Sequence, residues 1–284
     1  MALSARIPSG LDTNRFIPET YSKNVLIAVK NKLVVAAVVN HSYESDVVKG
    51  DTVYIRQTNT VSATEVTVGT EGVQNNPFNT TAVTLTINQW YEAPVTIDTM
   101  SRRQADVDLL SKAEDESAYA ISKRIDTSLN TLFSALSDGS ALGTDGSAIT
   151  DDVLISAVEE LDSADVPEEN RYWIFDPSVK ADILKIDKFV RQDYGYTDVV
   201  PNGTFRKDVY GAPILITNNL TVNSTGNYGA YLHKDALAIA ISDNLTVDRV
   251  EQPLKHQVVI NTTALWGVIE LRDDFGTAVL TRAS

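Results

Sequence analysis

IDTMSRRQADVDLLSKAEDESAYAISKRIDTSLNTLFSALSD, from Ile97 to Asp138, contains neither glycine nor proline. Leu110, Ala113, Ser117, Ile121, Ile125, Leu129, Leu132 and Leu136 recur at steps of three and four, the period of one helical face. The other face carries Arg102, Arg103, Asp106, Asp108, Lys112, Asp115, Glu116, Lys123 and Asp126. Asp98 or Thr99 can cap the start and Gly139 can stop the helix. At about 1.5 Å per residue an unbroken helix here approaches ~60 Å, roughly twice the width of a small domain. Its apolar stripe is single-sided and rich in alanine and serine. It predicts a beam lying on a sheet better than a coiled-coil arm, which needs a tighter a/d seam.

On the N-terminal side the period changes. Val53, Ile55, Val61 and Ala63 occupy odd positions, as do Val83, Leu85, Ile87, Tyr91, Ala93, Val95 and Ile97 on the return. Strict alternation predicts strands with one covered face. Between the runs lies GTEGVQNNPFN, Gly69 to Asn79, dense in turn residues. The simplest reading is a very long two-stranded hairpin with an irregular tip. An isolated ribbon is marginal in water, so it must lean on a third layer or on a neighbouring subunit. Pairing within an ordinary sandwich fits the pattern as well. Further upstream, Pro18 and Glu19 suit the first turn of a helix running to about Val38. Residues 1–15 read as an arm.

Downstream, DGSALGTDGSAITDD is a loop whose spacing departs from an EF-hand. Asp151 and Asp152 open a helix over VLISAVEELDSADV. Arg171 to Phe175 (RYWIF) reads as a short buried strand, and Asp176-Pro177-Ser178 as a helix start. Strand, cap and helix make an α/β unit. PILIT (213–217), GAYLH (229–233) and ALAIAI (236–241) read as further strands, and alternation returns from Thr246 to Ala283.

The 284 residues allow one large domain or two medium ones, and 43% hydrophobic content supports a core. The absence of cysteine excludes disulfides, thiolate metal sites and thiol nucleophiles. A net charge of −14 opposes phosphate-gripping nucleic-acid binding. No apolar run has the length of a membrane span, and MALSARIPSG has no signal core. A soluble protein made and used in a reducing cytoplasm, or released from it by lysis, is expected. His41, His233 and His256 stand in no metal-ligand spacing. No nucleophile elbow or phosphate loop occurs. Carboxylates cluster at Asp108 to Glu116 and at Asp273-Asp274, where a hydrolase would need a facing pair. Aromatic content of 7% weighs against sugar or base stacking. No catalytic, cofactor or metal site is expected. What the chain has is elongated elements that need partners.

The order of parts resembles the Hong Kong 97-type major capsid protein of tailed bacteriophages. The resemblance is carried by RYWIFDPSVKADILK, by VYGAPILITNNL, and by GAYLHKDALAIAI with its His-Lys-Asp turn. It implies an α+β fold with an N-terminal arm (1–15), the start of a peripheral domain (16–44) and an E-loop hairpin (45–96). A spine helix (97–139), an axial domain (140–232) and closing strands of the peripheral domain (233–284) would follow. In that family the E-loop lies across the adjacent subunit. The resemblance thus implies intersubunit contacts, for which Val73, Phe78, Arg56, Arg102 and Arg103 are the candidates.

The implied function is a non-enzymatic shell subunit. It would form hexamers and pentamers in the host bacterial cytoplasm and enclose double-stranded DNA without sequence-specific binding. A portal protein at one vertex and separate scaffold and cement proteins are possible partners; no cofactor, metal or membrane is implied. Some family members cross-link a hairpin lysine to an asparagine. Between Asp51 and Ser111 this chain has no lysine, so no cross-link is expected. Fifteen residues are too few for a cleaved scaffolding segment. An encapsulin-like nanocompartment shares the implied fold, and a β-rich adhesin is the unrelated alternative.

Overall fold

The computed structural model describes residues 34–44, 52–58, 80–100, 109–190 and 208–282, with isolated positions 61, 63 and 65. The expected arm (1–15), the helix predicted from Pro18 as far as Leu33, and most of the hairpin tip lie outside the described residues.

The apolar stripe becomes a helix, α1 (Leu109–Asn130), continued by a 3-10 turn at Thr131–Ser134. Its 22 residues span about 33 Å at ~1.5 Å each. Thr99 and Met100 are also helical, and 101–108 lie outside the described residues. Ala113, Ser117, Ile121, Ile125, Leu129 and Leu136 are buried, as their spacing predicts. One polar-face assignment is overturned: Asp126 is only 1% exposed. Its carboxylate faces the turn at 34–36 rather than water, accepting from the backbone of Val34 at 3.4 Å. That turn is also where the predicted helix to Val38 fails. Residues 34–39 form bends and a turn, with Val38 N bonded to Val35 O at 3.0 Å. Val35, Ala36 and Val39 enter the core, and Asn40 bridges to Ala238.

α1 lies on a three-stranded antiparallel sheet in the order β3 (Gln89–Asp98), β9 (Gln257–Glu270), β8 (Leu237–Gln252). The expected beam on a sheet is thus present. Ser117 Oγ and Thr262 Oγ1, 2.8 Å apart, pin the two layers. β8 changes register twice against β9, between Ile241 and Asp243 and between Asp243 and Thr246.

The hairpin forms between β1 (Thr52–Thr58) and β2 (Thr80–Thr86), which pair antiparallel from Thr52↔Thr86 to Thr58↔Thr80. The return run does not stay in it. After Ile87-Asn88 the chain enters β3, which pairs with β9 from Gln89↔Trp266 to Asp98↔Gln257. The parity of the odd positions is unbroken across the change, so one alternating pattern serves two different sheets.

The second unit is a five-stranded sheet in the order β10 (Gly276–Arg282), β7 (Gly226–His233), β4 (Arg171–Phe175), β6 (Ala212–Ile216), β5 (Asp208–Val209). β4 and β6 are parallel, joined through α3 (Pro177–Ile183) and α4 (Asp187–Val190). The predicted cap is present: Asp176 accepts from Ser178 N at 3.1 Å, with Pro177 in the first turn. α2 (Asp151–Ser163) carries Asp151 and Asp152 in its first turn, where the helix dipole favours them. Trp173, Phe175, Tyr231 and Val279 share one core with Leu154, Leu161 and Val179. Ile174, Ala230 and Leu232 share the other core with Leu129, Phe133 and Leu136 of the α1 region. The sheet is therefore covered on both faces. The last strand, β10, belongs to it, returning to pair with β7, whereas β8 and β9 of the same stretch 233–284 lie in the three-stranded sheet. A strand of alternating apolar residues fits whichever edge is open, and the pattern does not name the edge.

Candidate assembly surfaces

The foot of the hairpin is seated on its own molecule. Ile55, Leu85 and Ile87 are buried against Ala238, Ala240 and Leu271. Gln57 Nε2 donates to Leu271 O at 2.6 Å. At the crossing, Gly267 provides the clearance that Thr86 needs. The opposite face of the ribbon is bare. Tyr54 is 69% exposed, and Arg56, Ala82 and Thr84 are also exposed. Along the described strands, 52–58 and 80–86, the chain covers one face of the ribbon.

Arg56 borders a cleft of about 400 Å³ lined also by Asn40, His233, Asp235 and Arg272. Asn40 Nδ2 donates to Asp235 Oδ1 at 2.7 Å, and Asp235 N donates to His233 Nδ1 at 3.1 Å. Burial holds the His233 imidazole below its ordinary pKa. His41 is raised instead, through its hydrogen bond to Glu44 at 2.7 Å, with Ala36 O on its other ring nitrogen. His256 is a left-handed residue in the turn between β8 and β9 (φ 51°). All three histidines thus have structural settings.

A second slot, about 320 Å³, lies between the start of β3 and α1. Asn88, Gln89, Trp90 and Tyr91 line one wall and Arg124, Thr127 and Thr131 the other. Arg124 stacks 4.4 Å over the Tyr91 ring and donates to its hydroxyl at 2.5 Å. Trp90 is 76% exposed, whereas Trp173 and Trp266 are fully buried.

The expected contact residues divide. Arg56 is exposed on β1; Val73, Phe78, Arg102 and Arg103 lie outside the described residues. Sequence reasoning missed Trp90, although its signal was present. It is a large aromatic at an even position, in a strand whose apolar residues otherwise sit at odd ones, Pro94 apart.

Among the described residues, two of the loop carboxylates hold backbone groups. Asp273 Oδ2 accepts from Asp138 N at 2.8 Å, and Asp145 accepts from Thr225 N at 3.0 Å. Glu270 is pushed up to about 7 by burial, by its hydrogen bond to Asp273, and by the charges of Asp273 and Asp138. Among the described residues no three His, Cys, Asp or Glu side chains gather as a metal site, and no helix is long and apolar enough to cross a membrane.

No protein-family profile and no curated protein matches the chain. Solved structures do. A structure from Mycobacterium phage Che8 superimposes with a TM-score of 0.76 at 21% identity, covering 89% of this chain and 92% of that one. The capsid structure of cyanophage P-SCSP1u gives 0.65 at 16% identity, over 83% and 85% of the two chains. The mature capsid of bacteriophage PhiM1 gives 0.64 at 16% identity, over 81% and 82%. At such identities the likeness speaks for the fold. The chain carries the fold seen in these phage structures, two of which are capsids.

Proposed function

We propose that the chain is the major capsid protein of a tailed phage, self-assembling into an icosahedral shell of hexamers and pentamers around double-stranded DNA. The observation that supports this most is the hairpin: its foot is held by its own subunit, while its far face is bare. In a chain with this fold, such a ribbon is completed by a neighbour. In this reading the β1–β2 hairpin is the E-loop of the Hong Kong 97-type fold and α1 belongs to the spine helix. The five-stranded sheet, β10 included, is the axial domain, and the three-stranded sheet is the peripheral domain. Val73 and Phe78 at the tip, Arg56, and Arg102 and Arg103 before α1 are proposed intersubunit contacts.

The chain acts structurally rather than as an enzyme, assembles in the host cytoplasm and resides in the virion. A portal protein, and scaffold and cement proteins where present, are its other partners. The acidic balance fits a shell that must let its genome spool and leave, since phosphate-gripping patches on every subunit would hold it. Sedimentation of the expressed chain tests the reading: particles far heavier than the 31.0 kDa chain are expected. A sole species of monomer mass would overturn it.

A further inference from the structure

We infer that the junction between the two sheets carries a proton-operated catch. A proton shared by Glu270 and Asp273 ties the connection at 273–275 to the connection at 137–139, and its loss lets the two sheets move relative to each other. The inference goes beyond the shell reading and does not depend on it. Among the described residues the chain passes between the two units three times: after α1 at 137–139, between β7 and β8 at 234–236, and between β9 and β10 at 271–275. The three passages are bonded to one another. Leu271 N and Arg272 N donate to Ala236 O at 2.8 and 3.3 Å, and Asp138 N donates to Asp273 Oδ2 at 2.8 Å. The first passage is held in an uncommon shape: Ser137, Asp138 and Gly139 are three successive left-handed residues, with φ of 55°, 52° and 73°. Such a run keeps its form only while its surroundings hold it.

Glu270 ends β9 at this point, and its side chain reaches Asp273. Its Oε1 is buried and receives no hydrogen bond from any donor. Two ionised carboxylates offer acceptors only, and a buried acceptor left alone is costly. One proton between them supplies the missing donor. The chain of bonds then runs from Glu270 to Asp273 and on to the backbone of Asp138, from the end of one sheet to the entrance of the other. The charges acting on Glu270 are Asp273 and, on the facing passage, Asp138, both anionic. The remaining charged groups of the junction are engaged elsewhere. Arg272 lies 4.6 Å over the Phe275 ring, Asp235 accepts from Asn40 at 2.7 Å, Lys234 acts on His41, and Glu160 of α2 accepts from Ser137 Oγ. When the proton leaves for bulk water, three carboxylates face one another with no cation between them, and like charges part. The closed junction holds the Glu270 pKa at about 7 against an ordinary 4.5. Opening is therefore least favoured below about 4.5, grows by up to about tenfold per pH unit toward about 7, and levels off above.

Amide hydrogen exchange of the full chain between those two pH values tests the catch. Rates for segment 137–140 are divided by the intrinsic exchange rate at each pH and compared with those of β4, whose amides report unfolding of the whole subunit. Expected is a ratio that rises several-fold per pH unit in the native chain. In Glu270→Gln it should stay flat, because the amide donates to Asp273 at every pH. A flat ratio in the native chain overturns the catch, as does a rise that persists in folded Glu270→Gln. Should that variant not fold, Asp273→Asn takes its place: the amide keeps an oxygen for Asp138 N and a donor for Glu270. A flat profile there supports the catch and an unchanged rise overturns it.

Discussion

Gly267 lies so close to Thr86 that a Cβ built on the glycine would stand 2.4 Å from the threonine carbonyl oxygen. Backbone meets backbone where the hairpin foot crosses β9. Gly267→Ala must push the foot away. The expected cost is about 1–3 kcal/mol, the range for overpacking a filled site. Thermal unfolding of the subunit measures it; a midpoint unchanged within error would mean that the foot is not seated there.

The tryptophans should separate stability from association. Trp266 is fully buried and stacked on Tyr91, with ring centroids 5.2 Å apart. Trp266→Ala should destabilise the subunit by about 3–5 kcal/mol. Trp90→Ala should change subunit stability by less than ~0.5 kcal/mol, as for an exposed site, yet lower the yield of particles. Urea unfolding paired with sedimentation reads both. An unfolding penalty for Trp90→Ala comparable to that of Trp266→Ala would contradict the assignment.

Glu270 makes stability depend on pH. Its folded pKa, about 7, lies above the ordinary 4.5, so the folded state holds its proton more tightly than the unfolded chain does. Its contribution is complete below about 4.5 and is lost as pH rises through about 7. His41, also raised, slopes in the same direction. Glu270→Gln should flatten the part of the slope between those two values and leave the His41 part. Denaturant midpoints across that range test this; an unchanged slope would show that Glu270 ionises normally.

Asp126 anchors the turn at 34–36 from inside the core. Its carboxyl is raised by burial, and the backbone nitrogens of Val34, Ala36 and Val35 hold it back toward the ionised form. Asp126→Ala leaves those donors facing an apolar wall and should cost at least about 1–3 kcal/mol. Asp126→Asn keeps an acceptor and should cost less. Equal losses for the two variants would show that the carboxylate is not the anchor.

Particles should carry no covalent links between subunits, because no lysine lies between Asp51 and Ser111. Denaturing gels of mature particles should give one band near 31.0 kDa. A ladder would refute the expectation.

What could be read without coordinates was what local chemistry dictates. The Asp176-Pro177 cap, the stripe from Ala113 to Leu136 and the alternation around Ile55 and Leu85 each report a backbone state or a covered face, and each is present. Pairing partners are a different kind of information. Val83 to Ile97 alternates without a break, yet Leu85 pairs with Val53 and Tyr91 with Ala264; the covered face is encoded locally and the neighbouring strand is not. β10 is similar, since nothing in GTAVLTR distinguishes the edge beside β7 from any other. Asp126 was misplaced because a carboxylate on a helix is usually solvated, and the donors that bury it lie some ninety residues away in sequence.

Negative-stain electron microscopy of the purified, concentrated chain tests the central claim most directly. The account predicts closed shells with five- and six-membered clusters of subunits. A field of uniform single subunits under conditions in which the chain is folded would contradict it.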